Sequence, residues 1–280
     1  MKNLLYLLSF LLFISCDRND TEPGANPEVI EKHQAPFGVS DVDVKLKKVY
    51  LNDAIVAAYF YEGDQLIEFK GYSPAGTHQL CVNGLITRNG KMPDQYAVKA
   101  AEISWPGGMV NQPLRPAYTL NFRESKQDTV RYVSISNQFY SGGNVYSFVY
   151  RFDKNGYLLQ SDRGADIPAG SAVVYERDVS HNIRESYGTT FSKAKKDPST
   201  KYAYDNHPNP FFKLGMDLEG RFSVKSLSPN NITKEEVPNE GKPYILHYDY
   251  EYLPNGYPIK VTVTATPEDW FSKKVYKFEY

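Results

Sequence analysis

The chain has 280 residues with 32 Lys and Arg against 33 Asp and Glu, and its net charge of −1 provides no general attraction to a polyanion. We therefore expect no nucleic-acid partner. Tyr (23) and Phe (15) far outnumber Met (4), which favours strands over helices because aromatic side chains suit a pleated, half-buried surface.

The first segment has the layout of a secretion signal. An uncharged apolar run from Leu4 to Ile14 follows Lys2 and is too short to span a bilayer as a stable helix. Ser15 and Cys16 end this run in the manner of a bacterial lipobox, in which the cysteine is acylated and becomes the first mature residue. The sequence therefore predicts a lipoprotein signal peptide over residues 1–15 and a membrane anchor at Cys16.

Polar residues broken by Pro and Gly follow Cys16 and predict a flexible tether over residues 16–40. Acidic residues directly after a lipidated cysteine are typical of lipoproteins exported to the outer face of the outer membrane. The predicted location is the outer membrane with the domain exposed at the cell surface, and the periplasmic face is the alternative.

Residues 41–280 are predicted to form a single β domain. Once Cys16 carries lipid, Cys81 is the one cysteine left, so the mature chain has no intramolecular disulfide and depends on its core. We expect Cys81 to be a buried, inert core residue.

Alternation of bulky and polar residues between turn signals recurs along the domain, and each such segment predicts two strands joined by a turn. The segments are 57–72, 117–136, 144–162, 171–189 and 244–266.

Two of these segments share a turn sequence. Asn155-Gly156 and Asn255-Gly256 are flanked by Tyr and Phe at alternate positions, and both predict a tight hairpin in which Asn and Gly supply positive φ angles. His181 occupies the place of the glycine in a third, diverged copy. The alternation gives one aromatic face and one charged face.

Three stretches interrupt the hairpins and predict short helical turns: 92–104, 209–220 and the segment around 267–270. The predicted fold is all-β, an antiparallel hairpin meander that forms a strongly curved sheet or a partly closed barrel, with one to three short helical turns.

The lipobox, the hairpins and the stretches 202–214 and 228–234 together resemble an uncharacterised family of secreted Gram-negative lipoproteins with a porin-like fold. The hairpins in turn look like YD (RHS-type) repeats. Asn209-Pro210-Phe211 and Asn230-Asn231-Ile232-Thr233 carry most of the resemblance. It implies a curved antiparallel sheet, partly or fully closed, and no assigned catalytic residue.

The residues offer little catalytic chemistry. Asp205 and His207, with Asp249 or Glu251, form a conceivable acid/base set, but Asp205 to Pro210 also has the composition of a rigid turn in which Asx side chains bond their own backbone. His78-x-x-Cys81 lacks the second pair of ligands that a closed zinc site needs. The sequence predicts no enzyme and no cofactor or metal, and a paired-carboxylate hydrolase stays an alternative.

Candidate contact residues lie in irregular segments. Trp105 and Trp270 stand beside Gly, Pro or Phe and are candidate ligand-binding residues, and the alternative is that each ring plugs an end of the sheet. Thr129 lies in a three-residue bacterial O-glycosylation pattern.

The function hypothesis is a non-enzymatic, surface-anchored lipoprotein that binds a glycan or peptide, with a structural role in envelope assembly as the alternative.

Overall fold

A computed structural model describes residues 44–73, 79–89, 92–100, 115–124, 131–137, 146–153, 157–163, 171–190, 199–214, 226–239, 241–267 and 272–280. The chain divides into a unit of residues Met1–His33, which lies outside these ranges, and a unit of residues Gln34–Tyr280, which contains all of them.

The described residues form sixteen strands. They are β1 (Lys48–Leu51), β2 (Ala54–Glu62), β3 (Gln65–Tyr72), β4 (Leu80–Asn89), β5 (Met92–Ala100), β6 (Arg115–Glu124), β7 (Arg131–Asn137), β8 (Tyr146–Phe152), β9 (Leu158–Arg163), β10 (Ser171–Arg177), β11 (Ile183–Thr190), β12 (Thr200–Pro208), β13 (Asn230–Val237), β14 (Tyr244–Tyr252), β15 (Pro258–Thr266) and β16 (Lys274–Glu279).

The strands form one antiparallel meander that closes on itself. Each strand pairs with its neighbours in the chain, and β1 pairs with both β2 and β16. At this seam Glu279 accepts hydrogen bonds from the Lys48 ammonium (2.7 Å) and the Tyr50 hydroxyl (2.6 Å). The all-β meander is confirmed, and the sheet closes completely rather than in part.

The hairpin between β14 and β15 has a three-residue loop. The amide of Gly256 donates to the Leu253 carbonyl (2.9 Å), and the Leu253 amide donates to the Tyr257 carbonyl (2.8 Å). Gly256 has φ +87°, whereas Asn255 is not among the positive-φ residues. The loop is therefore a type I turn followed by one left-handed residue, and Asn255 does not adopt the positive φ angle that the sequence predicted for it.

The same closing hydrogen bond occurs in the two related hairpins. The Asp153 amide donates to the Tyr157 carbonyl (2.9 Å), and the Asp178 amide donates to the Asn182 carbonyl (2.9 Å). His181 has φ +65°, as expected for a residue in the place of a glycine. Asn155 and Gly156 lie outside the described residues, so their assignment stays a prediction.

Replacing Gly256 with Val is expected to lower the free energy of unfolding by about 1–3 kcal/mol, because a β-branched residue is strained at φ +87°. Thermal and denaturant unfolding measure the loss. Thr262→Val, within strand β15, is the matched control and should leave the midpoint nearly unchanged. Equal stability of Gly256→Val and the wild type would contradict the turn assignment.

Several hairpins carry a bulge in their second strand near the turn. The register skips Ile67 in β3, Leu159 in β9 and Ile259 in β15. These three side chains are exposed on the outer wall, at 36%, 41% and 42%. Bulges of this kind increase the local twist, which a closed sheet requires.

The helix predicted over 92–104 is wrong where the structure describes it, because residues 92–100 form β5. Pairing with both β4 and β6 overrides the helical propensity of its Ala, Gln and Lys residues. Pro93 fits the strand since it lies at the register shift beside Arg88, where a missing amide donor is tolerated.

The other two predicted helical turns are tested only in part. Residues 209–214 form successive turns, in which Phe212 donates to the Asn209 carbonyl (3.1 Å) and Leu214 donates to the Phe211 carbonyl (2.9 Å). Residues 268–271 lie outside the described residues. Within the part of the chain that is described, no helix is long and apolar enough to cross a bilayer.

The predicted division into an aromatic and a charged face holds, and the aromatic face points into the barrel. Phe152 is buried while Arg151 is exposed, and on β14 Asp249 and Glu251 are exposed beside the partly buried Tyr250.

The backbone at Gly84 leaves no room for a side chain, because a Cβ there would lie 1.8 Å from the ring of Phe69.

Candidate functional site in the barrel lumen

The connection between β12 and β13 folds into the barrel and is here called the plug (residues 209–214 and 226–229). Leu214 and Leu227 belong to the buried core, together with residues of β1–β4, β8, β9, β11, β15 and β16. The Phe211 ring contacts Tyr59 and Phe278 at centroid distances of 6.5 and 5.9 Å.

The plug also reaches the far wall. The Phe212 ring stacks on Tyr157 at a centroid distance of 6.5 Å, and Tyr157 directly precedes β9. Tyr59 is on β2 and Phe278 on β16, which are the two neighbours of β1, and β9 lies across the sixteen-strand ring from β1. The plug therefore touches strands on opposite sides of the barrel. It therefore fills the lumen at the end of the barrel where β12 and β14 terminate, here called the plug end.

Hydrogen bonds join the two halves of the plug. The Asn209 side chain donates to the Ser228 carbonyl (2.8 Å), its amide donates to the Pro229 carbonyl (2.8 Å), and the Lys213 amide donates to the Ser226 carbonyl (3.0 Å). Asn209, Lys213, Ser226 and Ser228 are all at most 5% exposed. The polar groups of the plug are thus buried and paired, which makes it a fixed part of the fold.

Arg177 fastens the plug to the wall. Its guanidinium donates to the carbonyls of Leu158, His181 and Leu227, and it lies 5.0 Å from the centre of the Tyr157 ring. Burial lowers the pKa of Arg177 to about 10, so the group stays charged at neutral pH. Its hydrogen bonds run to backbone carbonyls, so Arg177 holds the backbone of the plug in position against the wall.

A second set of bonds holds the plug to β11 and β12. Ser228 Oγ accepts from the Ile183 amide (3.1 Å) and donates to the Tyr204 hydroxyl (2.9 Å), which donates to the Ile183 carbonyl (2.7 Å). Asn182 and Asn230 bond each other twice, at 3.0 Å each. Polar side chains at this end of the barrel therefore serve the fold.

The proposed acid/base set is not assembled. Asp205 Oδ1 accepts from the amides of His207 (2.9 Å) and Asn231 (3.2 Å), and Oδ2 accepts from the Tyr252 hydroxyl and the Asn231 side chain. The His207 ring stacks on Tyr252 at 4.0 Å instead of bonding the carboxylate. The His207 amide donates to Asp205, so the predicted Asx bonding occurs, but Asp205 to Pro208 belong to β12 rather than to a turn.

The two other carboxylates of that set are on the outer wall. Asp249 and Glu251 are exposed, and Glu251 forms an ion pair with Lys260 (2.5 Å). Inward and outward side chains alternate along β14, so neither carboxylate reaches the side of the sheet on which Tyr252 contacts Asp205.

Between the plug and the opposite end, a row of polar and aromatic side chains crosses the inner wall. Each of three tyrosine hydroxyls bonds a side chain of the preceding strand: Tyr175 with Ser161 (3.2 Å), Tyr202 with Ser186 (3.4 Å), and Tyr248 with Glu235 (2.9 Å). We call these six residues the hydroxyl belt.

The belt is continuous because its pairs are joined by the strand register. Tyr175 lies directly opposite Ser186, and Tyr202 lies directly opposite Glu235. The belt therefore runs across six successive strands, β9 to β14. Its six side chains are half-buried, and its three tyrosines pack against the hydrophobic core. The part of each side chain that stays accessible lies on the inner wall of the closed barrel.

Burial raises the pKa of two of the belt tyrosines. It raises the pKa of the Tyr175 and Tyr248 hydroxyls above the usual range, and for Tyr248 the neighbouring Glu235 carboxylate raises the pKa further. These phenols stay neutral hydroxyl groups at neutral pH. The belt thus presents aromatic faces, hydroxyls and one carboxylate.

Several predicted site residues lie outside the described residues: Cys16, Trp105, Thr129, Asn155, Gly156 and Trp270. The strands that precede the two tryptophans end at the same end of the barrel. Ala100 ends β5 and Thr266 ends β15, and both positions are at the end of the barrel opposite the plug.

Cys81 is half-buried rather than buried, and its thiol donates to the Gln79 carbonyl (3.4 Å). Burial raises the pKa of the thiol, and the thiolate is the reactive form.

We expect maleimide to label Cys81 in the native Cys16→Ala chain about tenfold more slowly than in the unfolded chain at neutral pH. The labelling rate should rise as the pH rises, and rapid native labelling at neutral pH would contradict the prediction.

The sequence assigned the aromatic face to the core, and Tyr175, Tyr202 and Tyr248 do pack against it, but it did not single out the row of hydroxyls that these tyrosines form. The signal was present: Tyr rather than Leu or Val recurs at alternate positions in 202–204 and 248–252. Tyrosine in a fully packed interior requires a partner for each hydroxyl, so a row of tyrosines favours a surface that is aromatic and polar at once.

No protein-family model and no curated protein matches the chain. Two crystal structures are similar over most of its length. A porin-like protein from Bacteroides vulgatus ATCC 8482 is 12% identical with a TM-score of 0.39, covering 85% of this chain and 99% of that one. A porin-like protein from Bacteroides uniformis ATCC 8492 is 12% identical with a TM-score of 0.37, covering 84% and 97%.

Both of these structures are described as porin-like. Membership of a secreted lipoprotein family and the YD-type nature of the hairpins stay predictions.

Proposed function

We propose that the protein is a non-enzymatic binding module, held at the outer membrane through a lipid on Cys16, with a glycan or a peptide as its ligand. The observation that supports this best is the hydroxyl belt. Its side chains are polar, aromatic and half-buried, whereas the polar groups of the plug are buried and satisfied.

The plug contributes rigidity to such a site. It fastens one end of the barrel through Arg177, Ser228 and Asn209, so the strands that carry the belt are fixed at their bases. A preformed site loses little conformational entropy when a ligand binds. Trp105 and Trp270, which follow strands ending at the opposite rim, are proposed as additional contacts at its entrance.

The proposal is tested by a binding screen of the full chain against glycans, mucin and peptides, followed by titration of each hit. Tyr202→Ala should weaken binding, and Tyr187→Ala is the matched control because Tyr187 is on the outer face beside Ser186. An empty screen would overturn the binding function. It would favour the alternative, a structural role in envelope assembly, which crosslinking to a protein partner detects.

The location is tested at Cys16. Replacing Cys16 with Ala removes the thiol that carries the lipid, so the protein should move from the membrane fraction to the soluble fraction. Surface proteolysis of intact cells then separates the cell-surface location from the periplasmic face. Unchanged fractionation together with an unmodified N-terminal peptide mass would contradict the anchor.

A further inference from the structure

We infer that the hydroxyl belt binds an extended, neutral oligosaccharide along the inner wall of the barrel. This inference rests on the proposed binding function and assigns it a site and a ligand class. It is carried by three properties of the described residues: the pairing of the strand edges, the length of the belt, and the chemistry of its side chains.

The strand edges disfavour a peptide. Extended peptides are commonly bound as an added strand, which requires a free edge with unpaired amides and carbonyls. Among the described strands each has a partner on both sides, and β1 closes the ring by pairing with β16. The shortest pairing joins β11 and β12 through two residue pairs. A peptide in the lumen would therefore find few free backbone groups with which to pair.

The length of the belt favours a chain-like ligand. Its six residues lie on six adjacent strands, and neighbouring strands are about 4.8 Å apart, so the belt extends over about 24 Å of the wall. A small cation or a single amino acid would touch only one Tyr pair. A linear chain of several sugar units would contact Tyr175, Tyr202 and Tyr248 in turn.

The side-chain chemistry suits sugar rings. A sugar presents C–H groups on its face and hydroxyls on its edge, and tyrosine offers a complementary apolar face with a polar tip. Ser161 and Ser186 can both donate and accept, and Glu235 can accept from sugar hydroxyls with the strength of a charged acceptor.

The belt's one charge argues for a neutral ligand. Glu235 is half-buried, and the tyrosine that bonds it has a pKa raised chiefly by burial. In such surroundings an anionic sugar near Glu235 would be repelled more strongly than in water. Replacing this carboxylate with an amide is therefore expected to relax the discrimination against acidic sugars.

The test is titration calorimetry of the full chain with linear neutral oligosaccharides of two to six units, an acidic oligogalacturonide, and a peptide panel. We expect saturable binding of at least one neutral series, with affinity rising with chain length. Tyr202→Ala should weaken it about tenfold, the effect of losing one stacked ring and its hydroxyl. Tyr187→Ala should bind as the wild type does.

Two further variants keep the test decisive if an alanine variant fails to fold. Tyr248→Phe preserves the ring and should lower the affinity by a few-fold through the lost hydroxyl. Glu235→Gln should lower neutral binding and raise binding of the oligogalacturonide relative to it. Unfolding midpoints of all variants confirm that the fold is retained.

The failures of the two proposals are distinguishable. Binding of neither saccharide nor peptide by the wild type would overturn the binding function itself. Binding of peptide alone, or saccharide binding that Tyr202→Ala and Tyr248→Phe leave unchanged, would overturn the oligosaccharide site at the belt while the binding function stands.

Discussion

Gly84→Val is expected to lower the free energy of unfolding by about 3–5 kcal/mol, comparable to removing a buried phenylalanine from the core. Gly84 on β4 faces the lumen opposite Phe69 on β3. The Phe69 ring, which is 2% exposed, occupies the space of a side chain at position 84, with ring carbons 1.8 and 2.1 Å from the site of a Cβ. Either the ring leaves its place in the core or the two strands separate.

Denaturant unfolding of the purified domain measures this loss, and the neighbouring Leu85→Ala is the matched control because its side chain is 46% exposed on the outer wall. A double variant sharpens the test. Phe69→Ala removes the ring with which the new valine collides, so Gly84→Val combined with Phe69→Ala should cost clearly less than the sum of the two single changes. Additive losses would show that the ring and the glycine are not coupled.

Much of the wall follows from local sequence. Turn signals and period-2 alternation mark the hairpins at 57–72, 171–189 and 244–266, and the structure has strands at each. Both signals are local, because a turn is decided by four or five residues and a strand face by its alternation. For β5 the sequence predicted a helix, because its composition favours a helix and only its pairing with β4 and β6 makes it a strand.

The contents of the lumen do not follow from local sequence. Asn209-Pro210-Phe211-Phe212 has the composition of a surface turn, and its burial depends on Tyr59 and Phe278, which are distant in the chain and meet it only when the barrel closes. The same closure decides what each tyrosine contacts. Tyr248 and Tyr252 alternate on one face, yet one belongs to the belt and the other stacks on His207.

Asp205→Ala is expected to lower the free energy of unfolding by about 3 kcal/mol, since it leaves several donors at the plug end without their acceptor. The carboxylate accepts from the His207 amide, the Tyr252 hydroxyl and two groups of Asn231, a residue that is 3% exposed. These bonds tie β12 to β13 and β14 beside the plug. Asp249→Ala is the matched control on the outer wall and should change stability by less than about 0.5 kcal/mol.

Asp205→Asn separates a structural carboxylate from a catalytic one. The amide keeps an acceptor oxygen at one position but turns a donor toward groups that already donate, so we expect an intermediate loss of stability. A carboxylate that served proton transfer would show the opposite pattern, with near-normal unfolding and a lost activity. Because each Asp205 oxygen accepts from two donors of the fold, the structural outcome is the expected one.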